Sequence, residues 1–154
     1  MKLKVKIEGL KQCDEALKDL PKATRKNVLK RVLFAIGTPI AEAFAASVRV
    51  AKGKLKKGIG VGTRLTTRQR REHKKAFASD KASVEVFVGA PGLVQAITEE
   101  FGTVDQAPHP GLRPAWDAAR PTLVDKLKKM LWDEIEKAMK RHIAKAKRLA
   151  GKKS

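Results

Sequence analysis

The chain has 154 residues, 42% of them apolar, enough for one domain that buries roughly 70% of its unfolded surface. It carries 35 Lys and Arg against 16 Asp and Glu, a formal charge of +19, with five Phe, two Trp and no Tyr. The core must therefore be mainly aliphatic, and the field favours polyanionic partners: nucleic acid, an acidic protein surface or an anionic membrane surface. Cys13 is the sole cysteine, which excludes an intrachain disulfide framework.

From the start, Leu3, Val5 and Ile7 alternate with Lys2, Lys4 and Lys6, the period of a strand with one charged face. This stretch lacks the continuous apolar run of a signal peptide. A short helix is expected over about Lys11 to Leu20, with Leu17 and Leu20 inward. Pro21 then opens a second helix to about Val50. Its apolar positions, Leu29, Val32, Leu33, Ile36, Ile40, Phe44 and Val48, step by three or four. Pro39 inside it predicts a kink near Gly37. Thr38, Pro39, Glu42 and Arg49 interrupt the apolar run, so it is not a membrane span.

Between Lys52 and Lys75 stand ten Lys or Arg and one acid, Glu72. Gly53, Gly58, Gly60 and Gly62 argue against helix there, with a short strand at Ile59 and Val61. The region 52–80 reads as an exposed, mobile basic loop without an apolar period. Val84, Val86 and Val88 then alternate with polar or outward residues, a further strand ended by Gly89, Pro91 and Gly92. Leu93 to Phe101 is a short helix or extended piece that Gly102 terminates, and Ala107 to Gly111 is an extended, proline-bearing connector. Pro114 suits a first helical turn, and Pro121 is expected to start the last helix. Along that helix Leu123, Leu127, Leu131, Ile135, Met139 and Ile143 recur every four residues. Such a stripe drifts by about 40° per step, so the helix must wrap its neighbours or bend. Its basic end, 145–154, is expected to fray.

These elements give one α+β domain over 1–154: a small, mainly antiparallel sheet packed against long helices, with a long basic loop and a C-terminal helix. Trp116 and Trp132 are expected to pack at core edges, with an interface role as the alternative.

Catalytic chemistry finds little support. His73, His109 and His142 have no partner at a metal-ligand spacing, and Cys13 reads as a small core residue rather than a nucleophile. Glu99 and Glu100 are adjacent, so on a helix they diverge instead of forming a carboxylate pair. No phosphate-binding loop or nucleophile elbow is present. The chain is therefore expected to be no enzyme, with no catalytic, metal or cofactor-binding residues and no cofactor. The basic segment is the most specific candidate for docking, on a polyanion or an acidic partner: Lys52, Lys54, Lys56, Lys57, Arg64, Arg68, Arg70, Arg71, Lys74 and Lys75. It has no interleaved aromatic before Phe77, so a nucleic-acid contact would be sequence-tolerant and salt-dependent.

Two motifs resemble a known family. Lys52-Gly53-Lys54-Leu55-Lys56-Lys57-Gly58-Ile59, after a long helix, is similar to a "TGxLxxSI" segment. Glu99-Glu100-Phe101-Gly102-Thr103, followed by Ala107-Pro108-His109-Pro110-Gly111-Leu112-Arg113-Pro114-Ala115-Trp116-Asp117, looks like an "EFGT…A.PFLRPA" signature. Both belong to the small phage tail-component proteins of tail-completion or head–tail joining type in long-tailed, lambda-like phages. The chain departs from the pattern at Lys52 and Gly111. The resemblance implies a virion structural protein of the neck or tail, present in the host cytoplasm during assembly. It implies other neck and tail proteins and a homo-oligomeric ring as partners, and no membrane. On this reading Glu100, Phe101, Gly102, Thr103, Pro108, Leu112, Arg113, Pro114 and Trp116 are the assembly signature. Arg113, a cation next to a helix start, is disfavoured there and is expected to reach Glu100, Glu99 or an acid of a neighbouring subunit. The alternative function is a sequence-tolerant nucleic-acid-binding accessory protein.

Overall fold

A computed structural model describes residues 10–49, 53–79, 84–90, 92 and 94–151; the strand expected at Leu3 to Ile7 lies outside them. In chain order the elements are α1 (Leu10–Lys18), α2 (Lys22–Ser47), α3 (Lys54–Gly58), β1 (Gly60–Gly62), α4 (Thr67–Ala76), β2 (Phe87–Gly89), α5 (Val94–Phe101) and α6 (Leu112–Ala150). The α+β class holds: the described residues form helices and a small two-stranded antiparallel sheet. The described residues fall into two compact units. One contains those up to Val32 and from Val124 on, the other Leu33–Leu123, so α2 and α6 each contribute to both.

In the first unit the buried side chains are Cys13, Leu17 and Leu20 from α1 and its turn, Val28 and Val32 from α2, and Leu131, Ile135 and Ala138 from α6. Each set steps by three or four, one face of a helix. Burial pushes the Cys13 thiol up, against the opposing charge of Lys128, the state of a packed thiol rather than an activated one. Arg25 closes the α1–α2 turn by donating to the carbonyls of Lys18 (3.0 Å) and Leu20 (3.3 Å). Arg31 pairs with Glu134 at 3.2 Å. The four-residue stripe of α6 runs out as its drift predicts. Burial passes from Ile135 to Ala138, and Met139 and Ile143 are left exposed.

The second unit is built on the later half of α2. Ile40, Phe44 and Val48 cluster with Leu55 of α3 and Ala115 of α6, and Ile59, Val88, Ala96, Leu112 and Leu123 pack around them. The sheet pairs Gly60 with Gly89, Val61 with Val88 and Gly62 with Phe87. Val61 and Val88 share one face because they are direct partners across the ladder, and that face rests on Gly37. A β-carbon at Gly37 would stand 3.0 Å from Val88 and 3.1 Å from Val61. The glycine is thus tolerated mid-helix, despite its low propensity, because it lets the sheet approach.

Several expectations change. The strand at Val84 to Val88 shortens to Phe87–Gly89, because its partner offers only three residues before the Thr63 bend. Gly53 and Gly58 bracket a short helix, α3, anchored by buried Leu55. The expected loop holds a ten-residue helix, α4, in place of an irregular chain. A capping box starts it. Thr66 Oγ1 accepts from the Gln69 amide at 3.3 Å, while Gln69 Oε1 accepts from the Thr66 amide at 3.0 Å, so two orphan donors are met reciprocally. Pro121 does not begin the last helix. It lies within α6, which is continuous from Leu112, because the core-facing residues Ala115, Ala119 and Leu123 straddle it and offset the lost backbone bond. Helix α6 continues through residues 145–150, and the last three residues of the expected basic tail lie outside the described residues. Trp116 and Trp132 are about half exposed instead of core-edge residues. Each follows a buried residue, Ala115 or Leu131, and one position turns a helix by about 100°.

Replacing Gly37 with Leu should overpack this contact and destabilise the protein by about 1–3 kcal/mol. Urea unfolding followed by circular dichroism measures it, and an unchanged midpoint would show that the sheet does not sit on this helix.

Candidate assembly site

The second of the two sequence motifs folds into a single knot between α5, the connector 102–111 and the start of α6. The first turn of any helix leaves backbone N–H groups without intrahelical acceptors. In α6 one buried side chain accepts them. Glu100 Oε2 takes the amides of Gly111 (2.9 Å) and Leu112 (3.0 Å), and Oε1 takes that of Arg113 (3.2 Å). Pro114 has no N–H to satisfy, and the amide of Ala115 already reaches the Gly111 carbonyl at 3.3 Å. The accounting of the first turn is thereby complete.

Glu100 is the one buried charged residue among the described residues. Burial pushes its pKa up, but the three amide bonds and the charge of Arg113 outweigh it, and the net direction is down. A carboxylate at the positive end of a helix is also favoured by the helix dipole. Arg113 meets Glu100 at 3.5 Å and lies 4.7 Å above the Phe101 ring. This explains how a cation is accommodated in a first helical turn.

Neighbouring groups fix the connector. Gly102 has φ +77°, a left-handed conformation that glycine adopts without penalty. A β-carbon there would come within 2.8 Å of the Gln106 carbonyl and 2.9 Å of Pro108. The Thr103 amide donates to the Gln106 carbonyl at 2.9 Å, and the His109 amide to the Glu99 carbonyl at 2.7 Å. Glu99 diverges from Glu100 as adjacency on a helix requires, and receives Arg49 (3.2 Å) and Gln106 (3.3 Å). Gly111 is buried against the end of α2, where a β-carbon would overlap Ser47 Oγ and stand 2.9 Å from the Phe44 ring. The departure from the family pattern at this position therefore has a steric reason, since no phenylalanine fits that space.

The signature residues thus have distinct fates. Glu100 is buried and Leu112 is half-buried in the core. Gly102 and Pro108 form the turn. Phe101 and Arg113 stack on the surface, and Thr103, Pro114 and Trp116 are exposed. Of the basic residues, Lys52 lies outside the described residues. Lys54, Lys56 and Lys57 are exposed on α3, Arg64 precedes α4, and Arg68, Arg70, Arg71, Lys74 and Lys75 are exposed on α4. Glu99, an expected alternative partner of Arg113, receives Arg49 and Gln106 instead, and the roles of Arg49, Ser47 and Gln106 were not expected. Their only sequence signal is the adjacency of two glutamates ahead of a glycine turn.

Among the described residues no group of three or more His, Cys, Asp or Glu could hold a metal ion, and no helix is long and apolar enough to cross a membrane. A family model described as "Bacteriophage HK97-gp10, putative tail-component" matches residues 11–102. The chain belongs to this family of phage tail components. The match runs from α1 to the Gly102 turn, so Glu99 to Gly102 fall inside it and Ala107 to Asp117 lie beyond. No curated protein and no solved structure matches the chain.

Replacing Glu100 with Gln in this tail component should remove about 1.5–3 kcal/mol, because an NH2 group would face backbone donors. Since the folded pKa is lowered, the contribution of Glu100 is complete above the ordinary glutamate range. It is lost as pH falls through the folded value. Urea unfolding at a series of acidic pH values should show stability falling faster in the native protein than in the variant; parallel profiles would contradict the role of the carboxylate.

Proposed function

We propose that this tail component acts in head–tail joining, as a tail-completion subunit of the virion neck that works by fitting surfaces together and performs no catalysis. Copies would close into a ring and contact other neck and tail proteins, after synthesis in the host cytoplasm. The observation that carries this reading is an apolar face left in solvent. On α5, Val94, Ile97 and Phe101 are 73%, 51% and 65% exposed. They recur at three- and four-residue steps, so they form one stripe, and fully exposed Val104 follows in the connector. Clustered exposed apolar groups mark interaction surfaces more often than solitary ones do.

The position of the stripe adds support. The helix that carries it also carries Glu100, whose bonds tie α5 to the start of α6. A surface held this way loses little conformational freedom on docking, which favours association. Trp116, 46% exposed on α6, offers a large aromatic of the kind enriched at contact hot spots.

Particles assembled without this protein should accumulate as separate heads and tails in electron micrographs. Supplying Ile97→Glu or Phe101→Glu, each folded by circular dichroism, should fail to restore joining. Normal joined particles without the protein would rule the role out, and full rescue by both variants would rule out the α5 stripe.

A further inference from the structure

We propose that α4 is a docking face for the phosphate backbone of duplex DNA. This goes beyond the neck reading: a chain that binds no DNA could still join heads to tails. Helix α4 has no buried residue, so core packing does not account for it. At about 100° per residue, Arg70, Lys74, Arg71, Lys75 and Arg68 fall within an arc of about 160°. All five are exposed. Glu72, the one acid of α4, flanks the arc, 3.6 Å from Arg71 and 3.7 Å from Lys75.

The opposite side holds the helix in place. His73 sits 4.9 Å from the Phe77 ring and 5.2 Å from the Phe87 ring of β2, edge-on to the latter. Its Nε2 is 3.5 Å from Glu85. The capping box at Thr66 fixes the other end. Five cations are thus presented on a preformed, anchored helix instead of a loose loop.

The composition of the arc selects among polyanions. It contains no apolar side chain, so it cannot insert into a bilayer interface. Protein interfaces carry an apolar core, which this face lacks. A phosphate backbone requires only positioned cations. With no aromatic side chain on the arc for base stacking, single strands gain nothing over a duplex and sequence is not read.

The test is fluorescence anisotropy of the full chain with a labelled DNA duplex, titrated over a range of salt. Five replacements together, Arg68→Gln, Arg70→Gln, Arg71→Gln, Lys74→Gln and Lys75→Gln, should lower the log–log salt slope by about 4.5. An equal charge change on α6, with Lys140, Arg141, Lys145, Lys147 and Arg148 each replaced by Gln, should lower it far less. Circular dichroism establishes that both variants are folded. Equal losses in the two variants would overturn the proposal, leaving only diffuse attraction by net charge. Absence of duplex binding at low salt would also overturn it, as would equally tight binding of poly-glutamate, which would point to an acidic protein.

Discussion

One buried carboxylate organises the second unit. Glu100 accepts three amides from the start of α6. Isolated, a buried charge of this kind would be costly, but each bond here is charge-assisted and the helix dipole adds to it. The consequence is geometric. Helix α5 cannot shift along α6 without leaving three donors unmet, and the connector between them closes over Gly102 and seats Gly111 against Phe44 and Ser47. A signature scattered over Glu99 to Trp116 in sequence is a single construction in space.

That construction gives a physical reading of a tail component. An assembly subunit must offer its surfaces in a fixed arrangement before partners arrive, because order gained during docking is subtracted from affinity. The knot supplies this order around the exposed stripe of α5. The capping box and the His73 contacts supply it for α4, which the hydrophobic effect alone would not hold. The same logic explains the glycines that matter: Gly37 admits the sheet, Gly102 takes a left-handed turn, and Gly111 brings a connector flush with α2.

Much of this was legible in the sequence, and the rest was hidden for identifiable reasons. Apolar periodicity located α1, α2 and the long course of α6, since these elements bury one face; α5 was left open between helix and extended chain, because its apolar residues Val94, Ile97 and Phe101 stay exposed and its one buried side chain is the charged Glu100. The turn at Gly102 followed from a glycine ahead of a proline-rich connector. The need of Arg113 for an acid followed from its place at a helix start. Helix α4 was missed because it buries nothing and so leaves no apolar period. Its start was nonetheless written in the Thr66 to Gln69 spacing. Pro121 misled because proline marks helix starts more often than it is tolerated inside, and only the packing of Ala119 and Leu123 around it decides. The triple acceptor role of Glu100 had no local sign: its donors lie eleven to thirteen residues away, across a loop whose path the sequence does not fix.

The most direct test of the central claim reads the amides themselves. Hydrogen exchange followed by NMR should find the Gly111, Leu112 and Arg113 amides protected at neutral pH, although no helix carbonyl can accept from them, and should find that protection lost in Glu100→Ala while the middle of α6 keeps its own. Fast exchange at those three positions in the native protein would contradict the carboxylate lock and the preformed surface built on it.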